Sequence, residues 1–152
     1  MENTVLGNPI EGEVLPISDV KDEAFASEAL GKGFAIEPTE GSVVAPFDGE
    51  AVTIFPSKHA IGLVSETGVE VLIHVGLNTV ELDGKYFEAF VESGQPIKKG
   101  QLLLTFELEK IKEAGYVTQV PIVVTNTPQY SDFEILAQGQ TEKEKDVFSV
   151  NV

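Results

Sequence analysis

Gly68-Val69-Glu70-Val71-Leu72-Ile73-His74-Val75-Gly76 is the stretch that decides the fold of this chain. Every odd-numbered position between its two glycines carries a β-branched apolar side chain, which is typical of a strand that buries one face. The other face carries Glu70, Leu72 and His74, and we expect it to be partly exposed. The stretch therefore predicts a half-buried β-strand with a histidine on its accessible side.

Short apolar runs of the same kind recur along the chain, and turn residues such as Asp48-Gly49 and Lys99-Gly100 separate them. We expect strands at Gly12–Ile17, Phe34–Ile36, Ser42–Ala45, Glu50–Phe55, His59–Val64, Val69–Val75, Tyr86–Val91, Leu102–Glu107, Val120–Val124, Phe133–Ala137 and Val147–Val150. Many short strands at this spacing predict an all-β fold, an antiparallel β-sandwich or barrel. Two short helices are expected, at Asp22–Leu30 and at Leu108–Ala114, the second ending at Gly115.

Composition excludes several classes of function. The 152 residues carry a net charge of −15 and no cysteine, so thiolate metal sites and cysteine nucleophiles are excluded. An acidic surface repels nucleic acid and anionic lipid, but it attracts a basic protein partner. No apolar stretch approaches the length of a membrane span, and the first residues lack the pattern of a signal peptide. We therefore expect a single cytoplasmic domain without direct membrane insertion.

The two histidines of the chain, His59 and His74, are the informative candidates for chemistry. The sequence has no Walker-type phosphate loop, no H-E-x-x-H pattern and no G-x-S-x-G elbow. A histidine on a strand, taken singly, is most often structural. Two imidazoles within reach of each other, in contrast, can share a metal or serve as nucleophile and supporting donor.

Whether the two histidines face each other depends on the turn between their strands. A two- or four-residue loop in Ser65-Glu66-Thr67-Gly68 places His59 directly opposite His74. A three-residue loop with Gly68 in a bulge shifts the pairing by one residue, and regular strands then carry the histidines on opposite faces. The residues themselves do not choose between these two registers.

Two other functional classes compete for these residues. A zinc site built on His59 and His74 needs a third ligand, for which Glu70 is the nearby carboxylate. A biotinyl or lipoyl carrier domain is suggested by a weak internal similarity between residues 43–50 and 97–103. Such a domain needs a modifiable lysine on a hairpin tip, whereas Lys110 lies in a predicted helix start, which argues against it.

The stretch from Gly68 to Leu82 closely resembles the phosphorylation-site segment of glucose-family enzyme IIA. That family belongs to the bacterial phosphoenolpyruvate-dependent sugar phosphotransferase system. Further similar blocks occur in the family's order at Gly31–Pro38, Val44–Gly49, Ser57–Ala60, Gly94–Gly100 and Pro121–Asn126. The resemblance covers about Asp19 to the C-terminus, which divides the chain into an N-terminal segment, 1–18, and a single enzyme IIA-like domain, 19–152.

The resemblance implies a β-sandwich whose two histidines face each other in a shallow apolar depression, and with it the register that pairs His59 directly with His74. It also implies that His74 accepts a phosphoryl group on Nε2 from the phosphocarrier protein HPr and passes it to a cysteine of an enzyme IIB domain. His59 would steady the phosphoryl oxygens, and the Ser57 hydroxyl would orient the His59 ring. The carbonyl of Gly76 is the expected partner of His74 Nδ1, and the expected apolar lining is Phe55, Ile61, Leu72 and Val80.

Two positions depart from the family's usual pattern. Lys32 and Asn78 stand where the family often has aspartates, which are thought to flank the pocket and to meet an arginine of the donor. The departures put the affinity and identity of partners in doubt. A positive charge on Lys32 at the rim of the site would attract the phosphoryl group, which is a hypothesis that substitution of Lys32 tests.

The sequence therefore predicts a phosphotransferase component, a phosphohistidine carrier that works without a cofactor or bound metal during sugar uptake. The expected partners are HPr and an enzyme IIB domain of a sugar permease, and no nucleic acid. The alternatives are a regulatory IIA-like domain of a sugar transporter and a zinc-binding module that uses the same two histidines. The sugar is not specified, because a carrier domain of this kind does not touch it.

Overall fold

The fold is described for residues 3–152 of a computed structural model of the chain. These residues form fourteen strands: β1 (Thr4–Gly7), β2 (Gly12–Pro16), β3 (Lys32–Pro38), β4 (Ser42–Val44), β5 (Gly49–Ile54), β6 (Ala60–Ser65), β7 (Glu70–His74), β8 (Phe87–Ala89), β9 (Gln95–Ile97), β10 (Leu102–Phe106), β11 (Val120–Val124), β12 (Asp132–Ile135), β13 (Gly139–Thr141) and β14 (Asp146–Asn151). Two short helices, α1 (Glu23–Ala26) and α2 (Leu108–Glu113), accompany them, with single 3-10 turns at Ile17–Asp19, Thr79–Leu82 and Thr127–Gln129.

The strands form one large sheet and two small ones. The large sheet has eight strands in the order β13-β2-β3-β11-β7-β6-β5-β9, and the small sheets have the orders β1-β14-β12 and β4-β10-β8. Each pairing between these strands is antiparallel. The all-β antiparallel fold predicted from the spacing of apolar runs is therefore confirmed.

The main core lies between the large sheet and the two small ones. Alternate residues of the central strands point into it, among them Phe34, Ile61, Val71, Ile73 and Ile122. The opposite face of the same strands packs a second, smaller apolar cluster beneath α1, formed by Ile17, Val20, Phe25, Ala35, Leu77 and Val123, with Leu72 against it. Apolar burial on both faces explains why the central strands read as nearly continuous apolar runs.

The β6–β7 hairpin has the register that follows from a three-residue loop. Gly68, with φ of +97°, closes the loop, and the pairs are Val64 with Glu70, Gly62 with Leu72, and Ala60 with His74. The direct pairing of His59 with His74, which the resemblance implied, is therefore wrong. As predicted, Glu70, Leu72 and His74 nevertheless share the more accessible face of β7, while the residues between them are buried.

Both predicted helices are present, but α1 is shorter than predicted. The Asp22 carboxylate caps α1 by accepting a hydrogen bond of 2.9 Å from the Ala24 N–H. The helix ends at Ala26, and Glu28 adopts a positive φ of +65°, so the expected extension to Leu30 is wrong. Helix α2 ends as predicted, with Gly115 at a φ of +94°. Within residues 3–152, neither of these helices nor any other is long and apolar enough to cross a membrane.

Three strands, β1, β9 and β13, were not predicted, because their sequences lack an alternation of apolar residues. Strand β1 ends in Gly7 and lies between Asn3 and Asn8, β9 contains Pro96, and β13 is three residues long. Pro96 is tolerated because β9 is an edge strand that pairs with β5 on one side. Strands β1 and β2 pair with β14 and β3, so the described part of residues 1–18 contributes strands to the sheets of the fold.

Candidate functional site: two facing histidines

His74 ends β7 on the half-exposed face of the large sheet. Its ring nitrogen Nδ1 lies 2.7 Å from the backbone carbonyl oxygen of Gly76. A carbonyl can only accept a hydrogen bond, so Nδ1 carries the proton and donates it. In the neutral ring this leaves Nε2 unprotonated, with its lone pair available as a nucleophile or ligand.

The carbonyl that holds His74 is itself fixed by the loop after β7. Gly76 has φ of +79°, a region that glycine adopts without the strain of a Cβ atom. Its N–H donates to the Gln119 carbonyl at 3.1 Å, and the Leu77 N–H donates to the Val117 carbonyl at 3.0 Å. A Cβ at position 76 would lie 2.5 Å from Cγ2 of Thr79, so the loop requires glycine there. The predicted contact between Gly76 and His74 is present in the structure.

His59 reaches His74 because it lies just outside a regular strand. Lys58 has a positive φ of +59°, and β6 begins only at Ala60, so the alternation of faces does not apply to His59. The imidazole rings of His59 and His74 have centroids 4.8 Å apart, with an interplanar angle of 81°. The chain thus combines the shifted register with facing histidines, a combination that regular strands do not allow.

Ser57 fixes the ring of His59. The Ser57 hydroxyl lies 2.5 Å from Nδ1 of His59, and both residues are buried, with 8% and 4% of their surface exposed. This bond leaves Nε2 as the free nitrogen of His59. The two imidazoles are therefore each tethered through Nδ1, one by a carbonyl and one by a hydroxyl.

Two phenylalanine rings border the histidine pair. Phe25 of α1 lies 5.3 Å from His74 between ring centroids, and Phe55 lies 5.7 Å from His59 in an edge-to-face arrangement. Phe25 is buried, whereas Phe55 is 36% exposed. Phe55 was predicted as a lining residue, but Phe25 was not, because its place in a predicted helix gave no sign of which strand that helix would cover.

Burial lowers the pKa of both histidines. The pKa of His59 is lowered to about 4, first by burial and then by the charge of a protonated His74. The pKa of His74 is also lowered by burial, against the opposing effects of the Gly76 carbonyl and of the Asp22 carboxylate. Both rings are therefore neutral at pH 7, which is the state in which Nε2 of His74 has a free lone pair.

The other predicted lining residues lie on two different faces of the sheet and in the loop after Gly76. Leu72 lies on the same face as His74, two residues before it. Ile61 is fully buried in the main core opposite Ile73, so the structure does not bring it to the histidines. Asn78 and Val80 are exposed in the loop after Gly76, with Asn78 in a left-handed conformation before the 3-10 turn.

Lys32 lies away from the histidine pair. It pairs with Val124, which in turn pairs with Val71, so Lys32 is two strands and three residues distant from His74, about 14 Å. By alternation it shares the face of Phe34 and Ile36, which is the core face. Its ammonium group is paired with Glu28 at 3.2 Å. The structure therefore does not support the hypothesis that Lys32 stands at the rim of the site.

An apolar groove of about 500 Å³ adjoins the pair on the outer face of the large sheet. Phe55 and Leu72 line its near end, and Val52, Thr53, Val64, Glu70 and Thr125 are among the residues that line the rest. The histidine pair thus has beside it a shallow surface with few charges, which suits contact with another protein more than enclosure of a small substrate.

The third zinc ligand suggested by the sequence is not at the site. Glu70 is four residues from His74 on the same strand, about 13 Å along it. Across residues 3–152, no three or more histidine, cysteine, aspartate or glutamate side chains come together as a metal site would require. The arrangement of donors therefore does not favour the zinc-binding alternative.

Comparison with known proteins gives consistent matches. Residues 4–130 match the family model for the phosphoenolpyruvate-dependent sugar phosphotransferase system, EIIA 1. The chain is 45% identical over 147 residues to the beta-glucoside-specific EIIBCA component of Bacillus subtilis, covering 97% of this chain and 24% of that protein. It is 43% identical over 146 residues to the glucose-specific EIIA component of Staphylococcus epidermidis, covering 93% of this chain and 88% of that protein.

A solved structure has the same fold. Glucose permease IIA from Mycoplasma capricolum superposes with a TM-score of 0.90 and 37% identity, over 98% of this chain and 96% of that one. The chain spans about a quarter of the beta-glucoside-specific relative but most of the glucose-specific one. The family resemblance inferred from the sequence is therefore confirmed, and the chain belongs to the EIIA family of the phosphoenolpyruvate-dependent sugar phosphotransferase system, whose members are phosphotransferase components.

Proposed function

We propose that this chain is a phosphohistidine carrier, which accepts a phosphoryl group on Nε2 of His74 from phosphorylated HPr and passes it to a cysteine of an enzyme IIB domain. The observation that carries this proposal is the 2.7 Å hydrogen bond from His74 Nδ1 to the Gly76 carbonyl. That bond selects the tautomer with a lone pair on Nε2. The lowered pKa of His74 keeps the ring in this neutral, nucleophilic state at pH 7.

In the accepting step, the lone pair of Nε2 attacks phosphorus while the bond from phosphorus to the donor's histidine nitrogen breaks. The electron pair of that bond returns to the donor nitrogen. In the passing step, a cysteine thiolate attacks phosphorus, and Nε2 of His74 recovers its lone pair. Phosphoryl transfer of this kind depends mainly on positioning and on stabilisation of the phosphoryl oxygens, which a carrier with two tethered imidazoles provides.

His59 supplies the stabilisation in this proposal. Because its pKa is near 4, the ring carries a single proton at pH 7. When the Ser57 hydroxyl donates to Nδ1, that proton resides on Nε2, and the resulting N–H group can donate to a phosphoryl oxygen on His74. The ring separation of 4.8 Å leaves the two imidazoles close enough for this contact.

The partners proposed here are proteins that present their reacting side chain on a largely apolar surface. The groove bounded by Phe55 and Leu72 provides a matching surface, and the net charge of −15 favours encounter with a basic partner. Relatives named as glucosamine-specific EIICBA and beta-glucoside-specific EIIBCA components combine EIIA with EIIB and EIIC in one protein. An EIIB domain is therefore the proposed acceptor, and phosphorylated HPr in the cytoplasm is the proposed donor.

The proposal is tested by reconstituting the relay. The chain is incubated with phosphoenolpyruvate labelled in its phosphoryl group, enzyme I and HPr, and EIIB is then added. We expect the label to appear on this chain first and to move to EIIB after EIIB is added. A chain that takes up label but never delivers it to EIIB would contradict the carrier role and favour a regulatory one.

A further inference from the structure

We propose that the segment Asp19–Ala26, here called the cover segment, is a positioning element for His74, with Phe25 contacting the imidazole and Gln119 anchoring the segment to the sheet. The inference rests on the proposed phosphohistidine role of His74 and deepens it. It adds a group that holds the ring and excludes water from one of its faces. The tethering of Nδ1 by Gly76 alone would leave that face open.

Phe25 is the part of α1 that packs inward. Helix α1 spans only four residues, and Phe25 is its one buried residue, with 6% of its surface exposed. A helix of this length has no stability of its own, so it is held by its cap and by the packing of this ring. The Phe25 ring is tilted by 55° against the His74 ring at a centroid distance of 5.3 Å. It therefore limits the rotation of the imidazole away from Gly76.

Gln119 forms hydrogen bonds both to the cover segment and to the loop that follows His74. Its side-chain oxygen accepts a hydrogen bond of 2.8 Å from the Lys21 N–H, and its side-chain nitrogen donates one of 3.2 Å to the Asp19 carbonyl. Its backbone carbonyl accepts the Gly76 N–H at 3.1 Å. One buried residue, 4% exposed, thus anchors the start of the cover segment and also the loop that holds Nδ1.

The expected consequence concerns the lifetime of the phosphorylated state. In hydrolysis, a water oxygen attacks phosphorus, the bond between phosphorus and Nε2 breaks, and Nε2 keeps the electron pair while inorganic phosphate leaves. A carrier has to suppress this hydrolysis during the time between accepting the phosphoryl group from its donor and delivering it to its acceptor. An apolar ring packed on the imidazole restricts the approach of water and holds the ring in one orientation, so the cover segment should slow hydrolysis.

Two measurements on Phe25→Leu test the proposal. The first is the hydrolysis rate of the phosphorylated chain, isolated from its donors. The second is the ¹⁵N shift pattern of the His74 ring in the unphosphorylated chain, which reports the fraction with the proton on Nδ1. We expect hydrolysis to accelerate by about threefold or more, and the ring to become a mixture of tautomers. Phe25→Tyr keeps an aromatic ring and should restore the parent values.

Phe87→Leu is the matched control. Phe87 is 7% exposed and packs against Phe106, and both belong to the small β4-β10-β8 sheet and not to the sheet of His74. Its substitution therefore loosens the core without touching the histidines. Parent-like hydrolysis and ¹⁵N shifts in Phe25→Leu would overturn the inference, as would equal acceleration in Phe25→Leu and Phe87→Leu. Gln119→Leu should show the same direction of change as Phe25→Leu, and an unchanged ring in that variant would remove Gln119 from the account.

The failure of the proposed function would look different. If the parent chain takes up no phosphoryl group on His74 from HPr, the carrier role fails. The ¹⁵N measurement requires no phosphorylation, so it still decides whether Phe25 holds the ring.

Discussion

The imidazole rings of His59 and His74 lie 4.8 Å apart between centroids, although Ala60 and not His59 stands opposite His74 in the β-ladder. The ring of His59 reaches this position because Lys58 turns the chain with a positive φ just before β6 begins. The pair is thus a product of an irregular residue at the end of a regular hairpin. This arrangement allows each ring to have its own tether, Ser57 for one and Gly76 for the other.

Removal of His59 should separate acceptance from delivery. In His59→Ala, the Nε2 lone pair of His74 is still present, so we expect the phosphoryl group to be accepted. Transfer to EIIB should slow by about a hundredfold, because a donor to the phosphoryl oxygens is lost. Rapid-quench measurement of both half-reactions checks this. Ser57→Ala, which removes only the tether of His59, should give a smaller loss in the same half-reaction, and equal losses in both half-reactions would contradict the assignment.

Substitution of Gly76 should damage the site more than an equivalent glycine elsewhere. Gly76→Ala forces a Cβ into a backbone with φ of +79° and against Thr79 at 2.5 Å, so we expect destabilisation by about 2 kcal/mol together with slower phosphorylation. Gly139 has the same φ of +79°, and a Cβ there meets nothing within 4 Å. Gly139→Ala should therefore lose about 1 kcal/mol and keep the parent phosphorylation rate. Urea unfolding and phosphorylation kinetics compare the two variants, and equal phosphorylation rates would count against the role of the Gly76 carbonyl.

The stability of the chain should decrease as the pH is lowered through the range in which the two histidines titrate. The folded chain lowers the pKa of His59 from about 6.5 to about 4, and it also lowers the pKa of His74. Between these values the unfolded state binds more protons than the folded state, so the free energy of unfolding decreases as pH falls from about 6.5 toward 4. Thermal unfolding of the parent and of His59→Ala across this window checks the sign. The variant should show a shallower decline, and parallel curves would contradict it.

Loss of the charge on Lys32 should leave phosphorylation nearly unchanged. Lys32 lies about 14 Å from His74, beyond the distance over which exposed charges act at physiological salt, and it is paired with Glu28. We expect the rate of phosphorylation of Lys32→Met to stay within about twofold of the parent. A larger change, in either Lys32→Met or Lys32→Asp, would show that the donor reaches this part of the surface.

The parts of the fold that are set by local patterning were predictable from the sequence. Alternating β-branched residues around His74 defined β7 and its buried face, because residues on one face of a strand repeat every two positions. Gly115 likewise marked the end of α2. The edge strand β9 was not predictable, because Pro96 is compatible with a strand only when one side is unpaired.

The two histidines and the groups that hold their Nδ1 atoms were predictable from the sequence, but several residues around them and the geometry of the pair were not. The resemblance implied Ile61 as a lining residue, whereas the register set by the three-residue loop that ends at Gly68 pairs Ile61 with Ile73 in the core. Phe25 and Gln119 were missed for a different reason, since each acts across a distance of many residues along the chain. Their contacts with His74, Asp19 and Lys21 depend on where α1 lies on the sheet, which no local pattern determines.

In the proposed relay, His74 carries the phosphoryl group and His59 assists its transfer. Intact-protein mass spectrometry, after incubation with phosphoenolpyruvate, enzyme I and HPr, tests this most directly on the parent, His59→Ala and His74→Ala. We predict an acid-labile phosphoryl adduct on the parent and on His59→Ala, and none on a folded His74→Ala. An adduct that persists in His74→Ala, or that is lost in His59→Ala while His74 is intact, would contradict the account.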